Sequence, residues 1–251
     1  MITLKGQNEG FSSVYKILTN QKVYKIYNQL SFASYHRRKL SDFRKIYDQT
    51  YKLNLSPRHK VISKNIIEID ELNSDHQLTI KKLFNDEKLL KIFLAQTRKI
   101  NSIDKRIVKE SLLNEIYSYI YHNPKYYKIN QKIHQLKKYL KTYPQDFVCH
   151  GDLHLKNIYL KKNKIFFLDW DYCVLSSRGY DLAMFAYLEK LNEKQVHKLS
   201  IYSKISVKEI FHYLPICHLL DYLYLTIVSG RNDEKVKKLV LEVDKFISNI
   251  L

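Results

Sequence analysis

The chain has 251 residues, of which 45% are hydrophobic, and it contains three cysteines. This length is enough for one large domain or for two modest lobes with a folded core. The cysteines are odd in number and lack the paired spacing of a zinc site or a redox couple, which predicts reduced thiols. The first ten residues have no apolar stretch of signal-peptide length, and the most apolar later segment, 214–229, is interrupted by His218 and Asp221. The sequence therefore predicts a cytoplasmic protein without a membrane span.

The net charge is strongly positive, because 43 Lys and Arg residues stand against 25 Asp and Glu residues and give +18. Clustered basic residues would indicate a nucleic acid or an anionic membrane surface as the partner. Here the lysines are scattered along every segment beside abundant isoleucine, asparagine and tyrosine. This distribution is typical of a compositional bias and argues against a nucleic acid as the main partner.

The first third of the chain is predicted to consist of strands with one inserted helix. Two β-branched and aromatic runs, 12–18 and 22–28, are joined by a short polar turn and predict a hairpin. A second strand pair is predicted at 60–69 and 77–83. Between the pairs, Phe32–Tyr51 carries apolar residues at helical spacing.

The pattern becomes mainly helical near residue 84. Asn85 can cap a helix that runs to Ile100, and a second helix is predicted from Ser111 to the break before Pro124. Apolar stripes predict further helices over 131–143 and at the C-terminus. Two short strands, Asn157–Leu160 and Lys164–Asp169, interrupt the helices and are separated by a three-residue turn.

The loop before the first predicted strand is a candidate phosphate-binding segment. Gly6 and Gly10 bracket it, and backbone N–H groups in such a loop can approach a phosphate closely, with Ser12 and Ser13 at its end. Lys25 strengthens the hypothesis, because in kinase-type folds a strand lysine reaches the phosphates beneath the glycine-rich loop. Lys22 and Lys16 are the alternatives, since an error of one residue in the strand register would exchange the two faces of the sheet on which the side chains lie.

The strongest pattern is His150-Gly151-Asp152-Leu153-His154-Leu155-Lys156-Asn157, followed after a hydrophobic strand by Leu168-Asp169-Trp170-Asp171. At a spacing of five residues, Asp152 can accept the proton of a substrate hydroxyl while Asn157 ligates Mg²⁺. Asp169 would then hold the metal that bridges the phosphates of ATP. Carboxylate and amide oxygens are the hard ligands that Mg²⁺ prefers.

In these residues the chain resembles the choline/ethanolamine kinase and aminoglycoside phosphotransferase superfamily, whose pattern is His-Gly-Asp-x-His-x-x-Asn followed by Ile/Leu-Asp-Trp/Phe. The resemblance implies an α+β, two-lobed protein-kinase-like fold, with a small β-rich ATP-binding lobe (1–83) and a larger, mainly helical catalytic and acceptor-binding lobe (84–251). It implies ATP and Mg²⁺ as cofactors in the cleft between the lobes. It also implies Asp152 as the catalytic base, Asn157 and Asp169 as metal ligands, and His150 as an organiser of the catalytic loop.

The segment after the second motif is most similar to the choline kinase branch. In that branch an acidic-Tyr pair follows the motif, and an Arg-x-x-Asp segment, here Arg178 to Asp181, packs behind the motif. By the same resemblance, the helix around 218–224 supplies one wall of the acceptor site, where the family tends to have tryptophans. A carboxylate and aromatic rings can together bind a cation. The predicted acceptor site consists of Trp170, Asp171, Tyr172, Asp221 and Tyr224.

The chain departs from the family in its small lobe, and it differs from protein kinases around the catalytic loop. The family has a small-lobe helix glutamate that pairs with the strand lysine, but residues 34–48 contain no glutamate and Asp42 is the nearest acidic candidate. Gly151 stands where protein kinases usually have arginine, and only eleven residues separate Asp169 from Asp181, which leaves no room for a long activation loop. A small-molecule substrate is therefore predicted in place of a protein.

The sequence thus predicts an ATP-dependent kinase for a small, cationic alcohol, with choline as the first choice and ethanolamine next. Thiamine and aminoglycoside phosphotransferases share every catalytic residue and remain alternatives. An inactive kinase-like protein that binds an acidic partner through its positive charge is an alternative of another class, against which the intact Asp152, Asn157 and Asp169 argue.

Overall fold

The protein is described here by a computed structural model that covers residues 8–9, 13–15, 22–27, 40–63, 66–70, 78–121, 132–228 and 234–249. The chain divides into two compact units. The first combines Met1–Ile107 with Leu155–Asp171, and the second combines Val108–His154 with Tyr172–Leu251. This division assigns residues 84–107 and 155–171 to the same unit as the N-terminal sheet. The predicted lobe boundary between residues 83 and 84 is a different partition and stays a prediction.

The first unit contains a five-stranded antiparallel sheet in the order β1-β2-β3-β5-β4. Its strands are β1 (Asn8–Glu9), β2 (Ser13–Tyr15), β3 (Lys22–Tyr27), β4 (His59–Ser63) and β5 (Ile66–Asp70). The predicted first hairpin is confirmed, because β2 pairs with β3 with Tyr15 opposite Lys25. Lys25 also lies opposite Ile67 of the next strand.

The second predicted strand pair is wrong, because the segment predicted as a single strand, 60–69, contains parts of two strands, β4 and β5. Strands β4 and β5 both lie within 59–70 and pair with each other. Part of the segment predicted as strand 77–83 instead forms helix α2 (Ile80–Asn85), because the Thr79 hydroxyl caps it by accepting from the Lys82 N–H at 3.2 Å. A short apolar run does not distinguish a strand from a helix by periodicity alone.

Two helices of the first unit agree in part with their predictions. Helix α1 (Leu40–Lys52) overlaps the predicted 32–51 helix and ends one residue beyond it, and residues 32–39 are outside the described ones. Helix α3 (Glu87–Ile100) follows α2 after a single residue. Its cap is Asp86, whose carboxylate accepts from the Leu89 N–H at 2.9 Å, so the predicted cap at Asn85 was one residue early.

The predicted hairpin of the catalytic motif is confirmed as β7 (Ile158–Lys161) and β8 (Lys164–Phe167), with the first strand one residue later than predicted, the second ending two residues earlier, and a turn of two residues in place of three. Lys162 and Asn163 have φ values of 47° and 60°, the left-handed pair that a two-residue type I′ turn requires. The Phe167 N–H donates to the Leu55 carbonyl at 2.7 Å, and the Phe167 ring packs edge-on against Phe93 of α3. These contacts attach the hairpin to the first unit.

The second unit is mainly helical. Its helices are α4 (Leu112–Tyr121), α5 (Ile133–Leu140), α6 (Gly179–Leu188), α7 (Glu193–Ser203), α8 (Val207–Leu223) and α9 (Glu234–Asn249). Strands β6 (Phe147–Cys149) and β9 (Val174–Ser176) pair antiparallel. Helix α6 is buried from Gly179 to Ala186, which makes it the centre of the core of this unit. The three cysteines are free and buried, as predicted for reduced thiols. Within the described ranges, no helix has the length and apolarity to cross a membrane.

Candidate active site

The loop after β6 carries the first motif and is fixed by a buried carboxylate. Asp181, in the first turn of α6, accepts the backbone N–H of His150 at 2.8 Å and that of Gly151 at 3.0 Å. Its exposed fraction is 2%. The sequence indicates only a packing role for this residue, because its partners lie about thirty positions away and no local pattern connects them.

The loop turns sharply at Gly151, whose φ is +83°. A Cβ at this position would overlap the carbonyl oxygen of Tyr172 and lie 2.7 Å from its carbonyl carbon. The backbone therefore requires glycine for both conformation and space. His150 is completely buried, and its Nδ1 accepts the Asp152 N–H at 3.3 Å. This contact supports the predicted organising role of His150, which stays a prediction.

Asp152 is the predicted catalytic base, and its carboxylate is accessible. The side chain is 30% exposed, and its Oδ2 lies 3.4 Å from Nε2 of His154. A general base must reach a substrate hydroxyl, so partial exposure on a rigidly held loop suits the predicted role.

Burial has an electrostatic consequence at Asp181. It raises the pKa of the carboxyl group, and the electrostatic interaction with His150 and the N–H donors of Gly151 and His150 offset this only in part. The native state therefore binds a proton more tightly than the unfolded chain does. Stability from this group is fully present below the ordinary carboxyl pKa and decreases as the pH rises through the native pKa.

We expect Asp181→Ala to lower kcat about ten- to hundredfold, because the loop that carries Asp152 loses its anchor. Two buried N–H groups would lose their acceptor, which costs about 2 kcal/mol or more in the free energy of unfolding. This cost should shrink as the pH rises from about 4, since the wild type loses stability over that range. Urea unfolding at several pH values measures it. Asp181→Asn retains one acceptor oxygen and should lose less activity; equal losses would contradict the anchoring role.

Asn157 and Asp169 lie at one end of the β7–β8 hairpin. The Asn157 carbonyl accepts the Leu168 N–H at 2.9 Å, which extends the strand pairing by one step and brings Asp169 next to it. Asp169 has a φ of 62°, and its side chain is 23% exposed. An amide and a carboxylate oxygen are ligands that fit Mg²⁺. In the described part of the chain, no three His, Cys, Asp or Glu side chains form a metal-binding cluster.

Lys25 of β3 reaches the same end of the hairpin. Its Nζ lies 2.6 Å from Oδ1 of Asp169 and 2.6 Å from Oδ2 of Asp171. Of the two alternatives, Lys22 pairs with Asp70 and, at 3.7 Å, with Glu68 of β5, and Lys16 is outside the described residues. The structure thus brings Lys25, and not Lys22, to the carboxylates of the second motif.

Trp170 and Asp171 lack the exposure that residues of an open acceptor site would have. Both residues are completely buried. The Trp170 indole N–H donates to the Phe167 carbonyl at 3.2 Å, and the two rings pack edge to face. Asp171 is bonded to Lys25. Their roles in acceptor binding stay predictions, while this burial favours a structural role for Trp170.

The remaining predicted acceptor residues lie in the second unit. Asp221 is half-buried, and its Oδ2 accepts the Tyr187 hydroxyl at 2.6 Å. Burial and this carboxylate raise the pKa of Tyr187, so the phenol stays a donor. Tyr224 begins the π-helical turn after α8 and packs against the Leu225–Leu239 cluster. Tyr172 is half-buried, and its backbone contacts Gly151.

Most of the predicted phosphate loop lies outside the described residues. Gly6, Gly10 and Ser12 lie outside the described residues. Ser13 begins β2, but its side chain is not among the described ones, and the same holds for Asp42 in α1. The phosphate loop stays a prediction.

The fold and the two motifs define a kinase-like phosphotransferase class, and the family follows from direct comparison. The family model for choline/ethanolamine kinase matches residues 47–250. The chain therefore belongs to the choline/ethanolamine kinase family, as its motifs predicted.

Similar proteins are found among curated sequences and solved structures. A protein described as a LicA homolog from Metamycoplasma hominis is 28% identical over 136 residues, which is 54% of this chain and 44% of that protein. The chain thus spans less than half the length of this curated relative.

Choline kinase LicA from Streptococcus pneumoniae superposes with a TM-score of 0.76 at 14% identity. The superposition covers 99% of this chain and 94% of the LicA chain. A LicA structure in complex with AMP gives a TM-score of 0.73 at 14% identity, with 98% and 91% covered. An ethanolamine kinase from Plasmodium vivax gives 0.73 at 13% identity, with 100% and 84% covered. These likenesses confirm the predicted α+β kinase-like fold, with its small β-rich and larger helical parts.

Proposed function

We propose that this chain is an ATP-dependent kinase that transfers the γ-phosphate to the hydroxyl of a small cationic alcohol, choline or, next, ethanolamine. One observation carries the proposal: the β7–β8 hairpin holds Asn157 and Asp169 at one end and brings Asp169 within 2.6 Å of Lys25. Metal ligands beside a phosphate-binding lysine are the parts that phosphoryl transfer from ATP requires. Membership of the choline/ethanolamine kinase family supports the class of acceptor.

In the proposed reaction, Asp152 accepts the proton of the acceptor hydroxyl. The hydroxyl oxygen bonds to the γ-phosphorus as the bond between that phosphorus and ADP breaks, and ADP leaves. Asp152 suits this role because its carboxylate is partly exposed while its backbone N–H is held by buried His150. Most of the acceleration in such reactions comes from positioning and from stabilisation of charge.

The phosphate side of the reaction depends on Lys25, Asn157 and Asp169. Lys25 supplies a positive charge to the phosphates, and Asn157 and Asp169 would hold Mg²⁺. The metal, when bound, neutralises charge that develops on the transferred phosphate. The structure of LicA with AMP supports nucleotide use within this fold.

Asp221 is the candidate that tests the cationic acceptor most simply. We expect Asp221→Asn to raise the KM for choline about five- to tenfold and to leave the KM for ATP unchanged, because a partly exposed carboxylate contributes modestly to cation binding. Tyr187→Phe is the matched control, since it removes the 2.6 Å bond to Asp221 but keeps the negative charge. Steady-state kinetics in both substrates measure the effects. An unchanged KM for choline in Asp221→Asn would remove this residue from the acceptor site.

The function itself is tested by ADP formation in the presence of Mg²⁺ and a panel of choline, ethanolamine, thiamine and an aminoglycoside. We expect choline or ethanolamine to give the highest kcat/KM. A higher value for thiamine or the aminoglycoside would move the substrate to another branch of the superfamily. The absence of turnover with every acceptor would favour an inactive kinase-like binding protein.

A further inference from the structure

Two carboxylates contact the ammonium group of Lys25, and they are not equivalent. Asp169 and Asp171 each approach Nζ to 2.6 Å. The side chain of Asp169 is 23% exposed, whereas those of Asp171 and Lys25 are 0% exposed. A buried charge must be paired, because its desolvation is otherwise too costly. Asp171 is therefore the carboxylate that is committed to Lys25, and Asp169 is the one that solutes can reach.

In the small-lobe helix α1, the described carboxylate, Asp48, is engaged elsewhere. Residues 34–48 contain no glutamate. Asp48 of α1 is 50% exposed and lies 3.1 Å from Nε2 of His59. In kinase folds the strand lysine must keep an acidic partner while the metal-binding aspartate engages the metal. If Asp169 engages Mg²⁺, Lys25 still has a buried partner in Asp171.

The local fold fixes Asp171 in this position. The turn Trp170–Tyr172 is a 3₁₀ helix directly after the motif aspartate. Trp170 is completely buried, and its indole N–H is bonded to the Phe167 carbonyl. Since Trp170 is held by β8, its two neighbours in sequence are held at the same end of the hairpin. Asp171 thus reaches Lys25 from a rigid element.

We propose that Asp171 is a positioning residue that holds the ammonium of Lys25 in place for the phosphates of the nucleotide, taking the part that a helix glutamate would otherwise have. This inference rests on the proposed function, because it assumes that Lys25 binds nucleotide phosphates. It is an alternative to the predicted contact of Asp171 with the cationic group of the acceptor.

The test is a double-mutant cycle read by ADP binding, measured by calorimetry without Mg²⁺ and without acceptor. Asp171→Asn is expected to weaken ADP binding about ten- to hundredfold, the loss of one charge-assisted hydrogen bond. In the Lys25→Met background the same substitution should change the affinity less than about twofold. Kinetics should give a higher KM for ATP and an unchanged KM for the alcohol. Equal effects in both backgrounds, or a raised KM for the alcohol alone, would overturn the proposal.

Asp70→Asn is the matched control. Asp70 of β5 pairs with Lys22, which lies on β3 as Lys25 does. The Asp70 side chain is 41% exposed, so its loss should change ADP affinity less than about twofold. If Asp171→Asn does not fold, Asp171→Glu keeps the charge and displaces it by one methylene. It should weaken ADP binding about three- to tenfold in the wild type and not in Lys25→Met; an equal loss in both backgrounds contradicts the proposal.

The outcomes separate this proposal from the proposed function. Wild-type ADP binding without phosphoryl transfer to any acceptor would refute the function and leave the role of Asp171 intact. Phosphoryl transfer with an Asp171→Asn variant of wild-type ADP affinity would refute the role and leave the function intact. A wild-type protein that binds no nucleotide would refute both.

Discussion

Asp152→Ala is expected to lower kcat about 10²- to 10⁴-fold, the range typical for the loss of a general base. The KM for ATP should change little, because the nucleotide contacts are assigned to Lys25, Asn157 and Asp169. Asp152→Asn should lose a similar factor, since an amide cannot accept the hydroxyl proton. Steady-state kinetics under saturating ATP measure the effect.

The control for Asp152 is Asp244→Ala, which removes an exposed carboxylate from α9 of the same unit. It should leave kcat and the melting temperature unchanged. A wild-type kcat in Asp152→Ala would refute the mechanism, because no other residue has been assigned the proton.

The second large effect is expected at Gly151. In Gly151→Ala, a Cβ would overlap the Tyr172 carbonyl, and the φ of +83° is unfavourable for alanine. Since the obstacle is backbone, relief requires movement of the loop itself. We expect a cost of about 3 kcal/mol or more in the free energy of unfolding, a drop in Tm of about 6 to 12 °C and a loss in kcat of at least about 100-fold.

Gly179→Ala is the matched control for Gly151→Ala. An added Cβ there would lie 2.8 Å from Cγ of Glu209, a side chain and not backbone, although its Oε1 accepts hydrogen bonds from Ser177 and from the Gly179 N–H, and Gly179 has no positive φ. Its loss of Tm and kcat should be clearly smaller. Calorimetry and kinetics on both variants measure the difference. Equal losses would mean that loss of a glycine, and not the geometry of the catalytic loop, determines the effect.

Local features of the fold were predictable from the sequence where the turn residues and the alternation of apolar and polar residues indicate the same element. The β7–β8 hairpin is the best case, because its strands alternate and Asn163 tolerates the left-handed conformation that the turn requires. The strand predicted at 77–83 failed because Thr79 caps a helix that is only six residues long. Such a helix is too short for the 3.6-residue spacing of its apolar residues to be recognised in the sequence.

The candidate site was predictable as a set of residues but not as a set of contacts. The motif spacing identified Asp152, Asn157 and Asp169. The pairing of Lys25 with Asp171 joins residues 146 positions apart, and no local pattern carries that information. Asp181 was overlooked as an anchor for the same reason, since its backbone partners belong to a loop at the other end of a strand pair. Only the folded chain brings such groups together.

The most direct test of the central claim is the identity of the product. Phosphorus NMR of a reaction containing the protein, ATP, Mg²⁺ and choline, with a parallel reaction on ethanolamine, distinguishes a phosphate ester from free phosphate. We predict that a phosphomonoester of one of the two alcohols accumulates in equal amount with ADP, and that Asp152→Ala forms neither. ADP and free phosphate appearing at the same rate with and without an alcohol, and no ester, would contradict the account.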